Sequence, residues 1–393
     1  MNILFVANRF PYPPYRGDKL KIYNLAKRLS AKHSLFLITF VQDKSDYEYI
    51  NELKKIFGKI ELVYLPKYLS VLKCVLKVFS KKPFQIIYFE SSKFRKKLKG
   101  FLNENNIDAI HTQHLRMSQY TYNLKNYKRI LDLPDAYSLY WKRRTEMKGN
   151  FFENLFNKIE YKKVIKFEEI IREFDLNLVC SEEDKNFLIE KHNINYIDIL
   201  PNGVDLHYFK NNNHNYDINN RIIFTGNMDY FPNIDAAKYF VNEILPKVKS
   251  RFPDVEFYIT GQKPVKQVES LRNKNVIIMG FVENITEEYS KSAIAISPIR
   301  YGAGTLNKVL EPMAMGIPVV STEVGFRGLG IKSGEGVLLA KNKEQFSEHI
   351  INLLSSRALR KETGEKGKKI VYNNFDWDKI ADKLEKFFIN LQK

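Results

Sequence analysis

The sequence predicts an α/β protein built from two Rossmann-like domains, each a parallel sheet flanked by helices. Three observations point there. At 393 residues the chain is too long for one ordinary core and suits two of nearly equal size. Short apolar runs alternate with helix-patterned segments at the spacing of βαβ units. The alternation breaks at a turn-rich stretch, Leu200-Pro-Asn-Gly-Val-Asp205, and a polar run from Asn211 to Asn220, then restarts. The expected domains are therefore 1–203 and 204–375, with residues 376–393 as a terminal segment.

In order, Ile3 to Ala7 reads as a short buried strand and Asp18 to Ala31 as a helix, with Leu20, Tyr23, Leu25 and Leu29 among its apolar positions. Leu35 to Val41 is the next strand; Ala109 to Thr112 and Leu176 to Ser181 are later strands of the same sheet. After the break, strands are expected at Arg221 to Gly226, Glu256 to Gly261, Asn275 to Gly280, Ala293 to Pro298 and Val319 to Thr322. A helix from Lys379 to Leu391 closes the chain. Open parallel sheets bind ligands beyond the carboxyl ends of their strands, so the loops there are where chemistry is sought.

Composition narrows the class. Apolar residues make up 44% and charged residues 27%, as in a globular protein. No apolar run approaches the roughly 18–20 residues of a membrane-spanning helix. MNILFVANRF begins apolar with no basic segment before it, so it reads as a first strand rather than a secretory signal. Cys74 and Cys180 lie far apart without metal-ligand spacing, which fits small core residues in a reduced cytoplasm. The net charge is +18 and uneven: residues 1–200 hold 36 Lys/Arg against 23 Asp/Glu, the remainder 27 against 22. This excess is either a solvated face or a preference for an acidic partner.

The most informative segment is Arg300 to Thr322, RYGAGTLNKVLEPMAMGIPVVST. It follows an apolar strand, turns through Gly302-Ala303-Gly304, and opens a helix near Thr305. Gly316 is placed as the glycine just past the helix end, and Pro318 blocks continuation. Bare N–H groups at a helix start, a loop free of bulky side chains, and the cations Arg300 and Lys308 make an anion site. Glu311, two turns in, adds an acceptor for a diol. Cations for phosphate beside a carboxylate for ribose describe half of a nucleotide-sugar pocket.

This segment resembles the donor-site signature of glycosyltransferase family 4, enzymes of the two-Rossmann GT-B fold, whose domains face each other across a cleft. It is most similar to the branch of bacterial exopolysaccharide and exosortase loci. The resemblance covers nearly the whole chain, including Phe224-Thr-Gly-Asn-Met-Asp-Tyr-Phe-Pro-Asn-Ile-Asp-Ala236 and Pro201-Asn-Gly-Val-Asp205. It implies a retaining transferase that needs no metal ion or other cofactor. Glu311 matches the second of two family glutamates and would hold ribose. Ala303 stands where the first would be. Gly302, Gly304, Thr305 and Gly226 would line the donor site, with Gly280 and Phe281 beside the base. Arg300 and Lys308 would stabilise charge on the leaving diphosphate, which itself accepts the acceptor proton. The segment 376–393 would be the terminal helix that crosses back to the first domain.

Other segments carry alternatives. PYPPYRGDK resembles the same branch, and there the loop with Arg16, Gly17 and Asp18 borders phosphate or acceptor; alone, Asp18 reads equally as a helix cap. His111 and His114 are three apart but have no third ligand for zinc. Counting along the family's pattern from Asp108 and His111 puts Gln113 at the histidine position near the donor sugar, with His114 one step on. His114 is the candidate substrate contact, or else a packing histidine. Asp135 is a further cleft candidate. Asp376-Trp-Asp378 matches a D-x-D metal motif but opens a helix and reads as structural. Tyr68 to Lys99 mixes apolar and basic residues; it is either a core-facing pattern with solvated lysines or a surface for an anionic membrane on its inner, cytoplasmic face. No nucleic-acid module is recognised. The reading is a transferase that passes sugar from a nucleotide donor to a glycan or lipid-linked acceptor in bacterial surface polysaccharide synthesis. A catalytically silent GT-B partner in a glycan-assembly complex, which Ala303 suggests, and a nucleotide-sugar epimerase stay as competing classes.

Overall fold

A computed structural model describes residues 1–14, 17–146, 150–210, 214–300, 307–326 and 329–392. Its chain divides into two compact units, Met1–Pro201 with Asp378–Lys393, and Asn202–Trp377.

The first unit holds a seven-stranded sheet of β1 (Asn2–Ala7), β2 (Ser34–Val41), β3 (Lys59–Tyr64), β4 (Ala109–Gln113), β5 (Lys128–Asp132), β6 (Leu176–Val179) and β7 (Ile197–Ile199). Every neighbouring pair is parallel, in the order β3-β2-β1-β4-β5-β6-β7. The inner strands are near-continuous apolar runs such as NILFVA and SLFLITFV, the composition needed where both faces are covered. Leu4, Val6, Ile38 and Phe40 pack with Phe94 and Phe101 of the Ser92–Glu104 helix. Leu131 and Val179 belong to a separate core with Trp141, Val164 and Leu188.

The second unit repeats the plan with six strands: β8 (Arg221–Thr225), β9 (Glu256–Thr260), β10 (Val276–Gly280), β11 (Ile294–Ser297), β12 (Val319–Thr322) and β13 (Val337–Ala340). Their order is β10-β9-β8-β11-β12-β13, again parallel throughout. Period-two alternation splits β8 between two cores, Ile222 and Phe224 in one and Ile223 in the other. In each sheet the order reverses once, between β1 and β4 and between β8 and β11, which marks the place where ligands of such sheets bind.

A charged cluster is buried under the carboxyl edge of the first sheet. Lys21, on the Gly17–Leu29 helix, donates to Asp132 Oδ1 at 2.6 Å and to the Leu200 carbonyl at 2.8 Å. Both side chains of the pair are essentially inaccessible, and His111 Nε2 lies 3.3 Å from the other Asp132 oxygen. Burial alone would lower the Lys21 pKa, but Asp132 and Cys180 leave it above its ordinary value. Burial likewise opposes ionisation of Asp132, and Lys21 with His111 overcomes it.

The terminal helix Trp377–Gln392 lies on this unit from residue 378 onward. Arg28 pairs with Asp378, Lys32 with Asp382 and Glu385 at 3.1 and 2.7 Å, and the Phe388 ring sits beside His111. Asp376 forms a bridge with Val204 in the second unit, and Asp378 spends its carboxylate on Arg28.

Removing one member of a buried ion pair strands the other, at a cost of about 3–5 kcal/mol. Lys21→Met is therefore expected to lower the urea midpoint of the first unit strongly. Adding Asp132→Leu should recover most of the loss; a double variant as unstable as the single would refute this account.

Candidate functional site

At the carboxyl ends of β8, β9 and β10 three glycines bring the loops into contact. Gly226 N–H donates to the Thr260 carbonyl at 3.1 Å and Gly261 N–H to that of Gly280 at 2.8 Å. A Cβ on Gly261 would fall 1.7 Å from the Gly226 oxygen, so only glycine permits this approach. Gly280 has φ +71, in the left-handed region, and the following Phe281 ring is half exposed. A Cβ on Gly226 would lie 2.7 Å from the Asn233 amide nitrogen, which places Asn233 directly over this turn.

Asn233 is the hub on this side. It is buried on the Phe231–Tyr239 helix that follows β8, and its Nδ2 donates to the Asn227 carbonyl at 2.8 Å. Its Oδ1 accepts from Lys308 Nζ at 2.5 Å. Lys308 comes from the Asn307–Ala314 helix after β11 and also lies 5.1 Å over the Phe224 ring. One turn on, Glu311 accepts from the Tyr289 hydroxyl at 3.2 Å, and Thr225 Oγ1 is 2.8 Å from the same phenol oxygen. Since Tyr289 has one proton to give and gives it to Glu311, Thr225 is the donor to Tyr289. The helix then stops at Gly316, φ +78, whose carbonyl accepts from Tyr216.

Burial pushes the Glu311 carboxyl up to about 7, against the pull of Tyr289, Asn307 and Lys308. Burial pulls the Lys308 ammonium down to about 8, against Glu311. Both groups thus change charge close to neutral pH.

Arg300 is placed differently from Lys308. Its guanidinium grips Asp235 with two hydrogen bonds, 2.9 and 2.5 Å, and lies 4.6 Å over the Tyr239 ring. Asp235 and Asn233 share one helix, so both expected phosphate cations are met by acceptors from the element after β8. Gly302, Ala303, Gly304 and Thr305, the anion site expected from the sequence, lie outside the described residues, as does Arg16.

In the first unit, the expected residues gather beyond β1, β4 and β5. Asp18 stands in the first turn of the Gly17–Leu29 helix, pairs with Arg9 at 2.8 Å, and has its carbonyl bonded by Gln113 Nε2 at 2.6 Å. His114 has φ +76, unusual outside glycine, and precedes the Leu115–Thr121 helix. The Arg116 guanidinium lies 3.2 Å from Nδ1 and 2.5 Å from Nε2, of which the neutral ring can accept at one only, and the Tyr137 ring meets it edge-on. Burial, then Arg116 and Arg9, keep this imidazole neutral, well below the usual histidine pKa. Asp135 is pushed up to about 7 by burial and by Asp184 nearby. Among the described residues no group of three or more His, Cys, Asp or Glu side chains is arranged to hold a metal ion.

Comparison with known proteins finds a family match within the second unit. Residues 219–356 match the family Glycosyl transferases group 1. That span contains Asn233, Arg300, Lys308 and Glu311. A curated relative is an uncharacterized 44.6 kDa protein in the cps region of Klebsiella pneumoniae, 24% identical over 98% of this chain and 99% of its own length. Among solved structures, sucrose-phosphate synthase from Thermosynechococcus elongatus superposes with a TM-score of 0.72 at 15% identity, covering 100% of this chain and 99% of that one. HepE from Anabaena, in complex with UDP and glucose, gives 0.69 at 13% identity, covering 98% and 99%. The two parallel sheets have the GT-B fold of these neighbours.

Asn233, Asp235 and Tyr289 were not singled out in the sequence. The N-I-D of the Phe224–Ala236 stretch was the available signal for the first two, while Tyr289 lies in an unremarkable helix and meets Glu311 only through folding.

The Tyr289 hydroxyl lowers the Glu311 pKa by donating to it. Tyr289→Phe should therefore move that carboxyl above about 7, read by carbon-13 NMR titration; an unmoved titration would show that the phenol does not donate to Glu311.

Proposed function

We propose that this chain transfers a glycosyl group from a nucleotide-sugar donor to a glycan or lipid-linked acceptor in bacterial surface polysaccharide synthesis, retaining anomeric configuration and using no metal ion. The observation that carries the proposal is the pairing of Lys308 and Glu311 one turn apart, beyond the strands where the second sheet reverses its order. This pairing lies within the stretch that matches the Glycosyl transferases group 1 family. The Klebsiella relative from the cps region and the UDP-bound HepE structure support the same reading.

In the proposed mechanism Glu311 accepts hydrogen bonds from ribose, with Tyr289 fixing the carboxylate. Gly280 and Phe281 flank the base, and Gly226 lines the donor site with Asn233 packed over it. Lys308, with the loop of Gly302, Gly304 and Thr305, stabilises the negative charge that grows on the leaving diphosphate. Arg300 joins it by exchanging Asp235 for phosphate or bridging the two. The departing phosphate oxygen takes the acceptor hydroxyl proton as the new glycosidic bond forms on the same face, so no protein nucleophile takes part. The neutral imidazole of His114 orients a substrate hydroxyl; Arg16, Gly17, Asp18 and Asp135 belong to the acceptor side, in the 1–203 domain. The reaction belongs to the reduced cytoplasm, consistent with free Cys74 and Cys180.

A thermal-shift panel of UDP, GDP, dTDP, ADP and their sugars tests the donor site. A base-selective rise in melting temperature that Glu311→Ala abolishes is the expected result. Binding without turnover in the presence of acceptors would favour the silent-partner reading that Ala303 raises, and a folded protein that binds no nucleotide would overturn the proposal.

Charge linkage makes a second test. Ionised Glu311 is the better acceptor, and protonated Lys308 the better phosphate ligand. Affinity for the nucleoside diphosphate should be highest between about 7 and about 8, falling below as Glu311 gains a proton and above as Lys308 loses one. Calorimetry on Glu311→Gln should show the acid limb gone and the alkaline limb kept.

A further inference from the structure

Two helices of the first unit wear their apolar side chains on the outside. In the Lys67–Leu76 helix the one buried residue is Ser70, while Tyr68, Leu69, Val71, Leu72, Val75 and Leu76 are exposed. The chain continues through Val78 to Phe79, whose ring is 98% exposed. In the Phe151–Glu168 helix the inversion recurs. Of its four buried residues, Asn157, Glu160 and Glu168 are polar and only Val164 is apolar, while Phe151 and Phe152 are 74% and 80% exposed, with Leu155, Phe156 and Ile159 beside them. A helix packed on a core does the opposite.

The two helices form one surface. Phe84 joins them: its carbonyl accepts from Cys74 Sγ at 3.5 Å, its N–H donates to Glu160 at 3.0 Å, and its ring stacks on Phe156 at 5.5 Å. Lys163 of the second helix reaches the Val78 carbonyl at 3.3 Å. A contiguous exposed apolar face of this kind marks an interaction site.

Charge selects the partner. Residues 67–82 contain five lysines and no Asp or Glu. Lys67, Lys77, Lys81 and Lys82 are exposed around the apolar face, as are Lys158 and Lys162 on the second helix; the nearby acids are Glu90, engaged by Lys77 and Lys82, buried Glu160, paired with Lys163, Asp43 near Lys67, and exposed Glu153. A second copy of the chain would set lysines against lysines across a two-fold axis, which electrostatics disfavours. No described helix is long and apolar enough to cross a membrane. An apolar face rimmed by lysines suits the plane of an anionic bilayer, with aromatic and aliphatic side chains in the acyl boundary and ammonium groups among the phosphates.

We propose that the faces of Lys67–Phe79 and Phe151–Ile159 together form a docking surface for anionic phospholipid. The neighbouring Ser92–Glu104 helix, also basic in sequence, is excluded from it. That helix buries Phe94, Leu98, Phe101 and Leu102, and Lys97 pairs with Glu61. The surface involves no residue of the proposed transfer reaction, so the two readings stand or fall separately.

Vesicle co-sedimentation tests it, using phosphatidylcholine alone and an equimolar mixture with phosphatidylglycerol. Wild-type protein should sediment with the anionic vesicles only, and less so as salt is raised. Leu72→Ser/Leu76→Ser/Phe79→Ser and Phe151→Ser/Phe152→Ser should each reduce partitioning by about tenfold or more. Lys81→Gln and Lys158→Gln should each reduce it by about fivefold. These side chains are exposed, so melting temperature and nucleotide binding should be unchanged. Equal sedimentation with both vesicle types, or of wild type and variants alike, would overturn the proposal. So would a concentration-dependent dimer in light scattering that the serine variants dissolve, which would make the face a contact between copies.

Discussion

The short pairing of β8 with β11 governs the candidate site. Only Ile222 with Ile294 and Ile223 with Ala295 are in register between these strands. Beyond that point β8 continues to Thr225 along β9, while β11 continues to Ser297 along β12. The two strands therefore part company at their carboxyl ends, and the helices after them start on opposite sides of the reversal. This divergence leaves room at the edge of the sheet, and Asn233 from one helix meets Lys308 from the other across it. Without the reversal in strand order, the loops after β8 and β11 would not come together at such a crevice.

Within that frame the electrostatics are balanced rather than strong. Glu311 and Lys308 each suffer from burial, and each offsets part of the other's loss. The result is a carboxyl and an ammonium that both titrate near neutrality, instead of a fully charged pair already committed to each other. Arg300, more exposed, settles into a bidentate contact with Asp235. A polyanionic ligand entering here would find one cation poised beside an amide and another holding an exchangeable carboxylate.

The first unit uses buried charge for a different end. Lys21 and Asp132 tie the helix after β1 to the end of β5, and Lys21 also holds the Leu200 carbonyl. The loops carrying Gln113, His114 and Asp135 thereby spring from a stiff base. On another part of this unit, apolar side chains lie uncovered on two helices whose buried positions are mostly polar, Ser70 on one and Asn157, Glu160 and Glu168 beside Val164 on the other. Opposite solutions to the same burial problem thus coexist in one domain, the first closed on itself and the second open to a partner.

The sequence by itself determined the α/β class, most of the central strands, the edge strand β10 and the segment that carries Lys308 and Glu311. Strands buried on both faces must be continuous apolar runs, and such runs are visible without a fold. Of the four edge strands β10 was legible and β3, β7 and β13 were not: KIELVY alternates in character and Ile197–Ile199 has three residues. Helical spacing around Tyr68 announced an amphipathic segment but not its orientation, since the same pattern fits a core or a bilayer. Only tertiary structure decided that Ser70 points inward, that Phe152 shares its surface, and that Tyr289 and Asn233 hold Glu311 and Lys308. The last two are contacts between residues 22 and 75 positions apart, and no local periodicity encodes them.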